Sequence, residues 1–275
     1  MTASGETASP SGYTGYADLS IALQDGVLSI TLTRPESLNS LTARMLSTLA
    51  DTLERAAADP EVRVIRVDGA GRGFSSGAGI GEEDHADSAS AGSPTDVLDA
   101  ANRCVRAIVR QPQPVVAVVH GPAAGVGVSL ALACDIVLAS EAAFFMLAFT
   151  RIGLMPDGGA SALVAAAVGR IRAMRMALLA ERISAAEAFH WGLVSAVYPV
   201  DEFSGEVDRV IDTLVAGPMV ALRKTKDAIN AAALAELEGA LDRESRGQMA
   251  LLESHDFREG TRAFQQRRRA NFTDT

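Results

Sequence analysis

The chain has 275 residues, enough for one large domain or a domain with an appended subdomain. Hydrophobic residues make up 48% and charged residues 21%, which supports a sizeable core and argues against a disordered chain. The formal net charge of -9 disfavours nucleic acid as the main partner, since phosphate binding wants a basic surface; a local basic patch for a small anionic ligand is still allowed.

The opening "MTASGETASPSGYTGY" has no basic n-region and no apolar h-region, so residues 1–17 read as a flexible leader and not as a secretory signal. "VLSITLTRP" (Val27–Pro35) is rich in β-branched residues and reads as a strand. Asn39 or Ser40 is placed to cap the next element, in which Leu41, Met45, Leu46, Leu49 and Leu53 recur at helical spacing to about Ala58. "VRVIRVDG" (Val62–Gly69) is a second strand. The Gly- and Ser-rich "GRGFSSGAGIGEEDHADSASAGSP" reads as a mobile loop, and "TDVLDAANRCVRAIVR" as a helix with Thr95 as its possible cap.

"QPQPVVAVVHGPAAGVGVSLALAC" carries no formal charge, yet His120, Gly121, Pro122, Gly125 and Gly127 interrupt it. A strand buried on both faces, a turn and a buried helix explain it better than a membrane span. "DIVLAS" is another strand, and the alternation of strand and helix argues for an α/β architecture with parallel pairing. From about Ser184 the pattern is helical only, ending in a basic cluster. Cys104 and Cys134 form no metal-binding pattern and read as reduced, buried thiols.

Two glycine-rich turns follow two strands: Phe74-Ser75-Ser76-Gly77-Ala78-Gly79, and Gly121 to Gly127 leading into a helix. Side by side, they could hold an oxyanion between two backbone N–H groups; they also suit two ordinary turns. No Walker or Rossmann glycine spacing is present. In "RIGLMPDGGAS" a single carboxylate, Asp157, follows an apolar stretch and precedes two glycines. It could cap a helix starting at Gly158 or Gly159, or act as a base. His120 reads as a hydrogen-bonded core residue, His190 beside Trp191 as packing, and Asp135 as an anchor for backbone at a strand start.

The ordered motifs "LTRPESLNSLT", "GRGFSSGAGI", "VVHGPAAGVGVSLALACDIVLAS", "RIGLMPDGG", "RISAAEAFHWGLV" and "REGTRAFQQRRRANF" resemble the crotonase, or enoyl-CoA hydratase/isomerase, superfamily. The likeness runs from about residue 18 to 273. It implies a ClpP-like spiral of ββα units over residues 18–200 and a helical C-terminal region over 201–275, assembled as a trimer or a dimer of trimers. It implies a cytoplasmic enzyme acting on an acyl-CoA thioester of a fatty or aromatic acid. Acyl-CoA is then substrate, and no cofactor, metal, nucleic acid or membrane is expected.

By position, the resemblance makes the N–H groups of Ala78 and Val126 the oxyanion hole, with valine where the family usually has glycine. Ser76 and Ile80 would offer backbone groups to the adenine of CoA, and Phe264 and Arg267 would lie near the adenosine and its phosphate. The two glutamates that add water in family hydratases correspond here to Ser129 and Phe149, which would then only line the substrate. Phenylalanine cannot move a proton, and a serine hydroxyl without a partner is no base. The run around Asp157 is similar to the 2-(1,2-epoxy-1,2-dihydrophenyl)acetyl-CoA isomerase branch, which implies an isomerase with Asp157 as acid/base. The alternatives are a catalytically silent acyl-CoA binder and a weak hydratase. Glu82, Glu83 and Asp84 are reserve carboxylates beside the first turn.

Overall fold

The computed structural model describes residues 12–16, 18–79 and 94–273. Strands β1 (Leu19–Gln24) and β2 (Val27–Leu32) form an antiparallel hairpin. Its turn residues Asp25 and Gly26 have φ of 51° and 82°. Positive φ at both central positions matches the twist of the flanking strands, and Asp-Gly tolerates it. The first expected strand therefore ends at Leu32, short of Pro35, and a strand not anticipated from the sequence precedes it.

Helix α1 (Ala43–Ala56) buries Met45, Leu46, Leu49 and Leu53 along one face. Its cap is Thr42, whose hydroxyl accepts from the Met45 N–H, so neither Asn39 nor Ser40 serves. Asn39 is occupied elsewhere, as described below. Leu41 precedes the helix and pairs with Ala78 instead. After β3 (Val64–Gly69), helix α2 (Pro94–Arg110) already contains Thr95, which is thus not its cap.

β4 (Val115–Val119), the short β5 (Ala123–Ala124) and helix α3 (Val126–Ala133) account for the charge-free stretch. No helix of the described residues is long and apolar enough to cross a membrane. All of β4 is buried. Val115, Ala117 and Val119 join the core formed with α1 and α2. Val116 and Val118 join a second core that includes Phe203, Val207 and Ile211. A strand covered on both faces is the reason for its continuous apolar sequence.

β6 (Ile136–Ser140), β7 (Phe144–Met146), helix α4 (Ala160–Leu179), β8 (Ile183–Ser184), helix α5 (Ala185–Trp191) and β9 (Ala196–Tyr198) follow. The main sheet has the order β1-β2-β3-β4-β6-β9, parallel from β2 onward, and β5-β7-β8 form a smaller sheet. Helices α6 (Phe203–Val215), α7 (Met219–Ala233), α8 (Leu237–Leu252) and α9 (His255–Gln265) complete the chain. The architecture is α/β with a helical C-terminal region. The expectation of helix alone after Ser184 fails at β9, whose three residues are too few to show an alternating pattern and become a strand by pairing with β6.

The leader also needs correction. Tyr13 is buried, its hydroxyl donates to Asp59 at 2.9 Å, and the Arg55 guanidinium lies 4.2 Å above its ring. Residues 12–16 are therefore packed on α1, while 1–11 and 17 lie outside the described residues. Cys104 and Cys134 are free and buried, and burial raises both thiol pKa values.

Candidate active site

The two glycine turns are hydrogen-bonded into one unit. Asn39 is fully buried; its Oδ1 accepts the Arg34 N–H, and its Nδ2 donates to Ala70 O at 2.9 Å and Gly73 O at 2.8 Å. Ser75 Oγ donates back to Asn39 O at 2.8 Å. On the other side, the Ala124 N–H donates to Ser75 O at 2.8 Å. Gly77 closes the gap with φ of 93°, and a Cβ there would stand 2.7 Å from Ala124 O and 3.3 Å from Val126 N.

That close approach leaves the Ala78 and Val126 amides on neighbouring turns. Neither donates a hydrogen bond among the described residues. The Val126 N–H opens α3, where the first amides have no intrahelical acceptor and carry the positive end of the helix dipole. Two free donors side by side are what a developing oxyanion needs. The branched side chain of Val126 is buried at 2% exposure and does not remove the N–H.

Asp157 lies on the loop before α4. It is not the cap of that helix. Glu244 of α8 takes that role, its carboxylate accepting from Gly159 N at 2.7 Å and Ser161 N at 2.8 Å. The Asp157 side chain makes one bond, accepting at Oδ2 from Gln248 Nε2 at 2.6 Å. Its Oδ1 is buried and has no partner among the described residues. At the next residue, Gly158, an added Cβ would stand 3.1 Å from Ser129 Cβ and 4.0 Å from Val126 Cγ1. The loop thus lies against the start of α3. Burial pushes the Asp157 carboxyl up to about 7; the Gln248 bond opposes this, and the nearby Glu244 charge adds to it.

This shift carries a stability consequence. The carboxyl is about 3.8 when unfolded and about 7 when folded, so the folded state holds the extra proton between those values. Stability from this group is present at low pH and is lost as pH rises through 7. Asp157→Asn removes the charge while keeping an oxygen for Gln248. It should leave thermal stability near wild type below about pH 4 and raise it by roughly 1–3 kcal/mol at pH 8, as read from melting at pH 3.5 and pH 8.

The other expected residues divide. Phe149, on a 3-10 turn (Ala148–Ile152), is buried, with its Cζ 3.8 Å from where a Gly125 Cβ would stand. Its ring therefore lies beside the second glycine turn. Ser129 is fully buried, and its hydroxyl donates to the Asp157 carbonyl at 2.8 Å. It fastens the Asp157 loop to the start of α3. Ser76 has its N–H on Leu38 O and its hydroxyl on Ser37 O, which leaves its carbonyl to offer a ligand.

Ile80, Glu82, Glu83 and Asp84 lie outside the described residues. Phe264, 63% exposed, lies in the last turn of α9, and Arg267, exposed with φ of 52°, follows the helix; among the described residues neither is hydrogen-bonded to the Asp157 loop or to the glycine turns. His190 is exposed, not packed; His120 bonds Gly71 O at 3.0 Å through Nε2; Asp135 anchors Val115 N at 2.7 Å as expected. Gln248 and Glu244 were missed. Their signal was available: they continue the buried spacing of Leu237, Ala240 and Leu241 as polar residues on an apolar face.

A family model described as enoyl-CoA hydratase/isomerase matches residues 22–275. The chain belongs to this family. A Rhodobacter capsulatus protein named "Probable enoyl-CoA hydratase" is 40% identical, covering 94% of this chain and 98% of its own. The 1,2-epoxyphenylacetyl-CoA isomerase of Escherichia coli is 36% identical, covering 91% and 96%. A crystal structure of an enoyl-CoA hydratase from Mycobacterium avium subsp. paratuberculosis is 65% identical with a TM-score of 0.87, covering 94% of this chain and 99% of that one. The fold is thus the crotonase fold. The paired glycine turns described above are this enoyl-CoA hydratase/isomerase family member's candidate oxyanion hole.

Proposed function

We propose that this protein is an acyl-CoA isomerase in which Asp157 moves the proton and the Ala78 and Val126 amides hold the thioester oxygen. The observation that carries this reading is the Asp157 carboxyl: buried, excused from capping by Glu244, and with one oxygen unpartnered among the described residues. The positions of the two hydratase glutamates hold Ser129, whose hydroxyl is already committed, and Phe149. Neither supplies the second carboxylate that water addition uses. The epoxyphenylacetyl-CoA isomerase relative supports the isomerase branch. The relatives named as hydratases make water addition the competing outcome of the test.

For a 3-enoyl thioester the step balances within one molecule. The Asp157 carboxylate takes a proton from C2. The C2–H electron pair moves toward the carbonyl, giving a dienolate whose oxygen accepts from the two amides. The protonated carboxyl then returns the proton at C4, leaving the double bond between C2 and C3 in conjugation with the carbonyl. A carboxyl near 7 is suited to both halves, since its two protonation states lie close in free energy at neutral pH.

The test is a spectrophotometric assay of 3-enoyl-CoA thioesters, following the conjugated product, for wild type and Asp157→Asn. Asp157→Asn should lower kcat by about a hundredfold or more while acyl-CoA binding is retained. In wild type, kcat/KM should rise with pH through about 7 and then level, because the free enzyme must hold the ionised base. Equal turnover by both proteins sinks the assignment. Acyl-CoA binding with no turnover in wild type points to a silent binder, and hydration of 2-enoyl-CoA without isomerisation points to a hydratase.

A further inference from the structure

We infer that Gln248 and Glu244, one turn apart on α8, are positioning residues for Asp157: Gln248 pins one carboxyl oxygen so that the other is the free one, and Glu244 supplies the helix cap that would otherwise occupy it. This rests on the reading of Asp157 as the proton carrier.

Both residues are 1% exposed on an otherwise apolar helix face. Burying polar groups there is costly unless each is paired. Gln248 is completely paired. Its Oε1 accepts from Met155 N at 3.2 Å, and its Nε2 donates to Met155 O at 3.0 Å and to Asp157 Oδ2 at 2.6 Å. The two contacts with Met155 fix the amide's orientation, so a donor and not an acceptor meets the carboxyl. Joining the loop to α8 would need only the Met155 pair. The third bond acts on the carboxyl itself, selecting Oδ1 as the free oxygen.

Glu244 works by replacement and by charge. Its two bonds to Gly159 N and Ser161 N stabilise its ionised form, although burial raises its own pKa. An anion held there disfavours a second one on Asp157. Among the described residues, the groups bearing on Asp157 are therefore Glu244 and Gln248 from α8, and Ser129 from α3, whose hydroxyl takes only the Asp157 carbonyl. The two α8 residues push the carboxyl in opposite directions: Gln248 favours its ionised form and Glu244 its protonated form.

That opposition is the test. Protein labelled with 13C at the aspartate carboxyls would be titrated by NMR, the Asp157 resonance being the one absent from Asp157→Asn. Gln248→Met removes the donor and should raise the midpoint by about one pH unit, cutting kcat/KM at pH 7 by about fivefold through the smaller ionised fraction. Glu244→Gln removes the charge and should lower the midpoint. Loosening of the loop alone would move both variants the same way. That result, or an unmoved midpoint in either folded variant, overturns the inference. If Gln248→Met does not fold, Glu244→Gln decides alone: a lowered midpoint supports the inference and an unmoved one overturns it. The pH dependence of kcat/KM separates this from the proposed function. If NMR midpoints move in opposite directions while the kinetic midpoint stays put, positioning stands and Asp157 is not the base.

Discussion

Gly77→Ala should cost both stability and turnover. Two independent physical causes act on it. The backbone at Gly77 has φ of 93°, which an L side chain rarely adopts, at a cost of about 1–2 kcal/mol. The new Cβ would also stand 2.7 Å from Ala124 O, with Gly125 Cα and Val126 N both at 3.3 Å. These are backbone atoms, so no side-chain rotation relieves the overlap; the second turn must shift, for about another 1–3 kcal/mol. The shift falls on the Val126 amide, one of the two free donors. Misplacing one oxyanion donor costs about a hundred- to a thousandfold in kcat.

A control separates strain from contact. Gly169, at the break in α4, has φ of 76° and nothing within 4 Å of an added Cβ. Gly169→Ala should therefore show the backbone cost alone, by urea unfolding, with kcat unchanged. If the two variants lose equal stability and Gly77→Ala keeps full kcat, the close approach of the two turns does not hold the oxyanion site.

What could be read from the sequence follows the range of each interaction. β4 was legible because burial on both faces writes an unbroken apolar run into five consecutive residues. Asp157 was legible as a lone carboxylate before Gly-Gly, but its role was not. Cap and base differ only by where Glu244 comes from, 87 positions away in the chain and brought in by the packing of α8 on α4. The α1 cap shows the same limit at short range. Asn39, Ser40 and Thr42 are all capping types, and Asn39 was drawn off by Ala70 and Gly73, whose carbonyls the segment between β3 and the first glycine turn delivers. β9 has too few residues to carry a period; only its edge position beside β6 makes it a strand. Ser129 was recognised as a missing glutamate, yet its hydroxyl bond to the Asp157 carbonyl depends on α3 meeting a loop that local sequence does not place.

Lys226→Met should cost about 3–5 kcal/mol, the range for leaving one member of a buried ion pair without its partner. Lys226, on α7, is 8% exposed. Its Nζ stands 2.8 Å from Asp135 Oδ2 and donates to Ile108 O at 3.2 Å and Gln113 O at 3.3 Å. One ammonium therefore ties the helical C-terminal region to the end of α2, to the approach to β4 and to the turn before β6. Burial raises the Asp135 carboxyl, and Lys226 with the Val115 N–H opposes that rise. With lysine removed, the carboxyl rises further and takes up a proton on the acidic side. A carboxyl raised by folding gives stability at low pH and loses it as pH increases. The penalty of Lys226→Met should thus be small near pH 4 and full at pH 8, which a denaturant titration at both pH values would read. Adding Asp135→Asn should recover part of the loss at pH 8, since the uncompensated charge goes while an oxygen for Val115 N stays. A penalty independent of pH, or no recovery in the double variant, would mean that the side chain contributes through packing of its methylenes and not through its charge.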